Sequence, residues 1–262
     1  MNEQVERDVM EYDVLIIGGG PSGLSSAIKV KQLASAEGKD VSVCVLEKGS
    51  EIGAHILSGN VFEPTALNEL IPDWKEKEAP LNSPATKDIV KFMISENSSF
   101  NIPFPSFLIP TFNNHGNYVM SLANFTRWLA TQAESLGVEI FPGFTAAEVI
   151  FEENVVKGVL TGEMGISKDG EKKPSYQPSM ELRGKYTVFA EGCRGHLGKQ
   201  LIKKFNLDEN RDPQHYGIGF KEIWDISPED HKEGTVMHTM GWPSNGTISG
   251  SYFYHGENNQ VY

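Results

Sequence analysis

A cluster of glycines near the start of the chain follows directly after an apolar run. The cluster is Gly18-Gly19-Gly20-Pro21-Ser22-Gly23, and the run before it is Val14-Leu15-Ile16-Ile17. Gly18 permits a tight turn out of a strand, Gly20 leaves room for a ligand to approach the backbone, and Gly23 lets a following helix pack on the strand. The first N–H groups of that helix would face an anion at the positive end of the helix dipole. The spacing therefore predicts a site for the phosphates of a dinucleotide.

A carboxylate at the end of the next strand completes this pattern. Residues 24–34 are predicted to form a helix that ends at Gly38, and residues 41–46 a second buried strand. Glu47 closes that strand 24 positions after Gly23, close to where a carboxylate receives the ribose hydroxyls of a dinucleotide. A solvated carboxylate at a strand end is the alternative interpretation of Glu47.

The composition argues against several partners and chemistries. The chain has 23 Lys and Arg against 35 Asp and Glu, a formal net charge of −12, whereas nucleic-acid binding needs a basic stripe. No apolar run reaches about 18 residues, so no membrane-spanning helix is predicted. The two cysteines, Cys44 and Cys193, are too few for an iron–sulfur cluster, which normally takes four thiolates. No metal site is predicted in this chain.

The order of the later elements points to a second sheet. Helices are predicted at 64–70, 122–136 and 196–205, extended chain at 100–112, and strands at 138–141, 147–151, 155–161, 186–190, 217–220, 235–241 and 247–254. The polar stretch 165–179 is predicted to be an exposed loop, and the last three strands to be antiparallel in a different sheet. An NAD dehydrogenase would instead run repeated βαβ units through its cofactor domain, so the interrupted order favours FAD over NAD.

Several stretches beyond the glycine motif resemble one family. They are Ile52–Gly59, Asn113–Tyr118, Phe189–Leu197, Pro213–Gly219 and Gly241–Pro243. Together they resemble electron-transfer flavoprotein–ubiquinone oxidoreductases over nearly the whole chain. The resemblance implies one FAD and one [4Fe–4S] cluster, with electrons taken from reduced electron-transfer flavoprotein and passed to ubiquinone. It also implies peripheral attachment to a membrane, on the cytoplasmic face of a bacterial inner membrane or the matrix face of a mitochondrial one.

The resemblance also predicts the division of the chain. The family's C-x-x-C-x-x-C cysteines are absent here, so the cluster is expected only in a missing C-terminal part of a longer enzyme. The expected fold class is α/β, a Rossmann-like FAD-binding domain of the glutathione-reductase type with an interleaved, truncated antiparallel-sheet domain for quinone. The expected parts are a tail at 1–11, the FAD-binding domain with insertions at 12–212, a membrane-facing stretch at about 52–73, and an incomplete quinone-binding domain at 213–262.

The candidate site residues bind rather than react, because electron transfer through a flavin needs no nucleophile or acid–base dyad. The expected cofactor-binding residues are Gly18, Gly19, Gly20, Pro21, Ser22, Gly23, Glu47, Lys48, Gly53, Ala54, His55, Ala147, Ala190, Glu191 and Gly192. His55 would lie beside the isoalloxazine ring, with a loop histidine satisfied by the backbone as the alternative. The backbone of Ala147 would meet adenine, with an ordinary hairpin strand as the alternative. Ser249 and Gly250 align with a Gly-Gly pair that contacts quinone in the family, and Ser249 departs from that pattern.

Alternatives stay open for the surface and for the function. The apolar residues expected to face the membrane would equally suit a helix facing the core; they are Ile56, Leu57, Val61, Phe62, Leu67, Leu70 and Ile71. One alternative function is a geranylgeranyl-reductase-like or monooxygenase-like flavoenzyme, which flavin reduction by NAD(P)H would favour. The other is a non-catalytic FAD-binding fragment.

Overall fold

The computed structural model describes residues 7–57, 60–103, 112–244 and 249–262, and the chain divides into two compact units. Unit 1 comprises residues 1–55 and 126–216, and unit 2 comprises residues 56–125 and 217–262. Within the described ranges, no helix is long and apolar enough to cross a membrane.

The elements follow one another along the chain with strands in the majority. They are β1 (Val9–Ile17), α1 (Pro21–Ala36), β2 (Val43–Glu47), β3 (Asn60–Phe62), α2 (Thr65–Leu70), β4 (Ser83–Pro84), β5 (Lys87–Ser95), β6 (Ser98–Asn101), β7 (Tyr118–Met120), α3 (Leu122–Ser135), β8 (Glu139–Pro142), β9 (Ala146–Glu152), β10 (Val155–Thr161), β11 (Met164–Ile166), β12 (Lys172–Gln177), β13 (Glu181–Phe189), α4 (His196–Phe205), β14 (Trp224–Asp225), β15 (Thr235–Gly241), β16 (Gly250–Tyr254) and β17 (Gln260–Val261).

The main sheet of unit 1 has six strands in the order β8-β2-β1-β13-β10-β9. The first four are parallel, and β10 and β9 continue the sheet in antiparallel pairs. The end of β1 is a continuous apolar run because parallel strands are buried on both faces. The chain leaves β1 through α1 to reach β2 on one side and returns as β13 on the other. The carboxyl end of β1 is therefore a topological switch point, where ligands bind in open α/β sheets.

A buried hydrophobic cluster of unit 1 joins residues of the parallel strands, of the β9–β10 hairpin and of α4. Ala146 and Val159 of the hairpin share a buried cluster with Leu182, Leu46 and Cys44 of the other strands. Burial in this cluster raises the pKa of the Cys44 thiol to about 12. The core therefore holds β2, whose last residue is Glu47, in a fixed position.

Unit 2 joins the inserted segment to the C-terminal strands. Strand β5 pairs in parallel with β15, which pairs antiparallel with β16, and the four-stranded sheet has the order β16-β15-β5-β6. Ala85, Val119 and Val236 form its buried cluster, with Val61 and Tyr254 packed against them. A segment expected as an insertion in the FAD-binding domain thus shares its sheet with the strands after residue 217.

Some predicted elements differ from the structure. Strand β1 begins at Val9, inside the expected tail, and residues 1–6 lie outside the described residues. The predicted strand at 217–220 is wrong, since residues 211–223 form neither helix nor strand and the side chains of Ile218 and Phe220 are 92% and 91% exposed.

Other expectations were incomplete. The stretch 165–179, expected as a loop, contains the β11–β12 hairpin. Residues 104–111 of the expected extended chain and 247–248 of the last expected strand lie outside the described residues.

The stretch at 52–73 begins in unit 1 and continues from residue 56 in unit 2, where part of it is buried. Leu67 and Ile71 are each 3% exposed, and the ring of Phe62 lies 4.8 Å from that of Phe125. Leu57, in contrast, is 65% exposed. Ser58 and Gly59 lie outside the described residues. Core packing within unit 2 therefore accounts for Leu67, Ile71 and Phe62.

Candidate functional site

Close packing requires two of the motif glycines. Gly18 has φ +111°, and a Cβ there would lie 2.4 Å from the carbonyl oxygen of Ala190. Gly23 is in the first turn of α1, where a Cβ would lie 2.0 Å from the carbonyl oxygen of Gly18. Both distances are far below van der Waals contact, and both neighbours are backbone atoms. Gly18 therefore lets β13 approach the turn, and Gly23 lets α1 approach β1.

Gly20 faces open space at the start of a helix that lacks a cap. None of the described atoms lies within 4 Å of the position that a Cβ on Gly20 would take. Gly20 is the N-cap of α1, Pro21 follows in the first turn, and neither a side-chain cap nor an acidic residue of that turn is present in this described stretch. The free N–H groups and the helix dipole therefore face a volume that suits a phosphate group.

The carboxylate of Glu47 is held in place by two backbone amides. Its Oε2 accepts the N–H of Gly19 at 2.9 Å, and its Oε1 accepts the N–H of Gly49 at 2.7 Å. The side chain is half-buried, so it is a fixed acceptor rather than a freely solvated charge. Each carboxylate oxygen has further acceptor capacity for a hydroxyl group. Sequence reasoning found Glu47 but missed Gly49, although the short spacing Glu-Lys-Gly was visible.

The loop after β2 folds back over the glycine turn. A Cβ on Gly19 would lie 2.5 Å from Cδ1 of Ile52, which shows how closely this loop covers the turn. Gly53 is buried with φ +84°, whereas Lys48, Ala54 and His55 are exposed.

Sequence reasoning also missed a cation beside this loop. The guanidinium Nη2 of Arg127, on α3, lies 3.1 Å from Oε1 of Glu51. The local sequence does not predict this ion pair, because Arg127 and Glu51 are 76 positions apart and only the fold brings them together.

The end of β13 meets the glycine turn and carries a helix cap. The N–H of Ala190 donates to the carbonyl oxygen of Ile17 at 2.8 Å. Gly192 has φ +77°, with no described atom within 4 Å of a Cβ position. The Glu191 carboxylate accepts the N–H groups of Leu197 at 3.2 Å and Gly198 at 2.7 Å, and so caps α4. Sequence reasoning missed this capping role of the Glu191 side chain.

Ala147 lies at an irregular position of β9. The pairs Glu148–Leu160 and Ala146–Thr161 differ in register, which leaves Ala147 at a β-bulge. Three residues before it, the N–H of Phe144 donates to the carbonyl oxygen of Glu47 at 3.0 Å. The start of this strand is therefore tied to the end of β2.

The structure thus brings most of the expected cofactor residues to one edge of the unit 1 sheet. The glycine turn with Pro21 and Ser22, the Glu47 carboxylate, the loop to His55 and the segment Ala190–Gly192 all follow the carboxyl ends of parallel strands. Ser249 and Gly250 belong to unit 2. Ser249 Oγ is hydrogen-bonded to Ser244 Oγ, and Gly250 begins β16 opposite Met240.

Comparisons with known proteins show what the chain is similar to. Residues 16–71 match a family described as NAD(P)-binding Rossmann-like domain, and residues 216–262 match one described as ETF-QO, ubiquinone-binding. The electron transfer flavoprotein-ubiquinone oxidoreductase of Pseudomonas aeruginosa is 59% identical over 262 residues, covering 98% of this chain and 47% of that protein. The chain is similar to this protein over nearly its whole length. The mitochondrial member from Homo sapiens is 50% identical over 253 residues, covering 96% of this chain and 40% of that protein.

The chain therefore spans less than half the length of these relatives. Solved structures agree with the Rossmann-like α/β fold. A geranylgeranyl bacteriochlorophyll reductase-like protein from Thermoplasma acidophilum superposes with a TM-score of 0.62 at 16% identity, over 97% of this chain and 55% of that one. The myxobacterial chondrochloren halogenase, a variant of FAD-dependent halogenases, gives 0.55 at 15% identity, over 97% and 52%. At such low identity the likeness establishes the fold alone.

Proposed function

We propose that unit 1 binds FAD at the carboxyl edge of its parallel strands. The observation that carries this proposal is the uncapped N-terminus of α1, where Gly20 faces open space beside the fixed Glu47 carboxylate. The pyrophosphate lies against the turn from Gly18 to Gly23, and Glu47 accepts the ribose hydroxyls. Glycine at position 20 keeps the backbone accessible there.

The remaining expected residues surround the other parts of the cofactor in this proposal. Lys48 follows Glu47 at the ribose, and the loop Gly53-Ala54-His55 borders the isoalloxazine ring. The exposure of His55 leaves its imidazole free to hydrogen-bond the ring. The bulge at Ala147 presents backbone groups to adenine, and Ala190, Glu191 and Gly192 contribute backbone at the end of β13.

We further propose that the protein transfers electrons from reduced electron-transfer flavoprotein to ubiquinone. The 59% identity to an electron transfer flavoprotein-ubiquinone oxidoreductase supports this reaction, which belongs to the longer protein that the relatives represent. Bound flavin supplies one- and two-electron redox chemistry, and the chain's own residues bind and orient it and tune its potential. A [4Fe–4S] cluster is expected in the part of the family's length that this chain does not span.

Two finer features belong to the same proposal. Ser249 and Gly250 contact the quinone in unit 2, and the enzyme attaches to the membrane surface at the stretch 52–73, from which Leu57 projects. The membrane would be a bacterial inner membrane at its cytoplasmic face, or a mitochondrial inner membrane at its matrix face.

Flavin binding by a matched pair of glycine variants tests the cofactor site. Gly20 has φ −78° and ψ 178°, which valine adopts without strain, so Gly20→Val is expected to fold. Its side chain would enter the pyrophosphate position and weaken FAD binding by roughly tenfold or more, since a charge-assisted hydrogen bond is worth about 1.5–3 kcal/mol. Gly219→Val is the control, because within the described structure Gly219 also faces open space. FAD titration followed by flavin fluorescence measures both.

Equal FAD affinity in wild type and Gly20→Val would refute the site.

The source of electrons is tested separately with the flavin-loaded chain. Reduction by reduced electron-transfer flavoprotein supports the proposed reaction, whereas reduction by NAD(P)H alone would favour the reductase-like or monooxygenase-like alternative. Binding of flavin without reduction by either donor would favour a non-catalytic fragment.

A further inference from the structure

The loop that follows β2, residues 48–55, is named the cover loop and is tied at its start to two neighbouring segments of unit 1. The N–H of Gly143, after β8, donates to the carbonyl oxygen of Gly49 at 2.7 Å. The N–H of Gly49 donates to the carboxylate of Glu47 at 2.7 Å. A loop that is fixed at its start still has freedom further along, so the position of its second half depends on other contacts.

The second half of the cover loop is a β-turn from Glu51 to Ala54. The N–H of Ala54 donates to the carbonyl oxygen of Glu51 at 3.3 Å, and Gly53 has φ +84°. A positive φ at the third residue is what a type II turn requires. The hydrogen bond therefore keeps Glu51, Ile52 and Ala54 together as one unit, and His55 follows it directly.

Side chains of this β-turn contact two different elements. Ile52 is buried, and its Cδ1 lies 2.5 Å from the position that a Cβ on Gly19 would take. The neighbouring Glu51 is exposed, and its Oε1 accepts a hydrogen bond from Nη2 of Arg127, on α3, at 3.1 Å. A movement of Glu51 away from α3 would therefore also move Ile52 away from the glycine turn.

The ion pair of Glu51 and Arg127 has the strength of a reversible contact. The two side chains are 66% and 43% exposed, so water and salt weaken their attraction. An exposed pair of this kind shifts an equilibrium by up to about fivefold. It is strong enough to favour the closed position of the cover loop and weak enough to let a ligand leave.

We propose that Arg127 is a positioning residue for the cofactor, whose ion pair with Glu51 holds the cover loop on the glycine turn and slows the release of FAD. The proposal rests on the proposed function, which places the pyrophosphate at this turn and the isoalloxazine ring beside Gly53 and His55. Arg127 acts through Glu51 and not by touching the cofactor. It is a role that neither the glycine motif nor Glu47 supplies, because both hold the cofactor directly.

The rate of FAD release from the flavin-loaded chain, followed by flavin fluorescence after dilution, tests this role. Arg127→Ala is expected to release FAD roughly two- to fivefold faster at low salt, and the difference from wild type should shrink as salt is added. Arg127→Lys keeps the charge and should stay closer to wild type. Arg183→Ala is the matched control, since Arg183 pairs with Glu152 at 2.7 Å in the same unit but does not contact the cover loop. Its FAD release should equal that of wild type.

Exchanging the two charges separates this role from simple support of α3. Arg127→Glu places two carboxylates side by side and should release FAD faster than Arg127→Ala. Adding Glu51→Arg to Arg127→Glu restores an ion pair with its signs exchanged and should bring the release rate back toward that of wild type. The single variant Glu51→Arg accounts for any direct attraction of the new cation to the diphosphate, so the double-mutant cycle isolates the pair. Absence of rescue in the double variant would overturn the proposal.

Amide hydrogen exchange of the flavin-free chain examines the cover loop without the cofactor. The N–H of Ala54 is bonded within the β-turn, so its exchange should be roughly two- to fivefold faster in Arg127→Ala. The N–H of Phe144, which donates to the carbonyl oxygen of Glu47, is the internal reference and should not change. Equal exchange at Ala54 in wild type and Arg127→Ala would show that the ion pair does not hold the loop, and would refute the proposal.

The outcomes also distinguish a failure of this role from a failure of the proposed function. FAD release that is equal in wild type and Arg127→Ala would refute the role of Arg127 and leave FAD binding by unit 1 standing. Equal acceleration in Arg127→Ala and Arg183→Ala would show an effect of net charge alone, and would also refute it. Failure of the wild-type chain to bind FAD would overturn the proposed cofactor site and the role of Arg127 together.

Discussion

Two glycines of the same turn are expected to respond in opposite ways to one added methyl group. In Gly23→Ala the new Cβ would lie 2.0 Å from the carbonyl oxygen of Gly18 and 3.2 Å from Cγ2 of Ile16. In Gly20→Ala the methyl group meets no described atom within 4 Å. The first variant should therefore damage the fold, and the second should affect only a ligand bound at the turn.

The expected magnitudes follow from these contacts. Alanine favours a helix over glycine by about 1 kcal/mol, so propensity alone would make Gly23→Ala stabilising. Relieving the clash requires movement of backbone against backbone by about 1 Å, and overpacking of this kind typically costs about 1–3 kcal/mol or more. We expect a net loss of about 1–3 kcal/mol, which lowers Tm by roughly 3–10 °C for a chain of this size. Gly20→Ala should change stability by less than about 1 kcal/mol, since its backbone is extended.

The assay combines thermal unfolding without flavin with FAD titration of each variant. Gly23→Ala should lose stability and, through the displaced helix, also flavin affinity. Gly20→Ala should keep its Tm and lose flavin affinity. A Tm for Gly23→Ala equal to that of wild type would refute the packing argument. A large fall in Tm for Gly20→Ala would show that the space at Gly20 serves the fold rather than a ligand.

Three further predictions concern the surroundings of the site. Glu191→Ala should lower the free energy of unfolding by about 0.5–2 kcal/mol, measured in urea, because two N–H groups of α4 lose their cap, and Glu191→Gln should lose less. The exposed Cys193 should react with a thiol reagent in the folded protein, whereas the buried Cys44 should react only after unfolding. Burial raises the pKa of the Cys44 thiol to about 12, from an ordinary value near 9. The contribution of the protonated thiol to the free energy of unfolding is therefore complete below pH 9 and is lost as the pH rises toward 12. The free energy of unfolding, measured in urea, should therefore fall more steeply with rising alkaline pH for wild type than for Cys44→Ala.

The parts of the site that sequence predicted are those encoded within short stretches. The apolar run, the spacing of Gly18, Gly20 and Gly23, and the position of Glu47 are local patterns with direct physical meanings. They predicted β1, α1 and β2 within a few residues, and the Rossmann-like fold is confirmed. Each of these elements also packs against its sequence neighbours, whereas the earlier start of β1, at Val9, depends on its pairing with the distant strand β13.

The features that sequence missed depend on distant pairing. Strands β5 and β15 pair in parallel although they lie about 150 residues apart, and neither a turn residue nor a periodicity in the sequence predicts this pairing. The predicted strand at 217–220 had suitable alternation, yet alternation shows only that a segment could pair. The cap on α4 escaped notice because Glu191 precedes the N-cap residue Gly195 by four positions instead of occupying it.

Helices α1 and α4 of unit 1 differ at their N-termini, and this difference explains why the proposal places a phosphate at the start of α1 and not at the start of α4. The start of α4 already carries the Glu191 carboxylate, whereas the first turn of α1 contains no acidic residue. Ser22→Glu adds a carboxylate at an exposed position of that turn. It should stabilise α1 by about 0.3–1 kcal/mol through the helix dipole, while repelling the diphosphate and weakening FAD binding.

The Ser22→Glu variant is informative because stability and FAD affinity are expected to change in opposite directions. A substitution that merely damages the turn would lower both Tm and flavin affinity, whereas Ser22→Glu should raise or preserve Tm and lower affinity. Ser22→Gln is the control of equal size: any loss of FAD affinity that the two variants share measures the added bulk, and Ser22→Glu should lose more. The affinity lost in Ser22→Glu should also shrink as salt is added, because screening weakens repulsion between solvent-exposed charges. Equal FAD affinity in the Glu and Gln variants at low salt would mean that no phosphate lies at the start of α1.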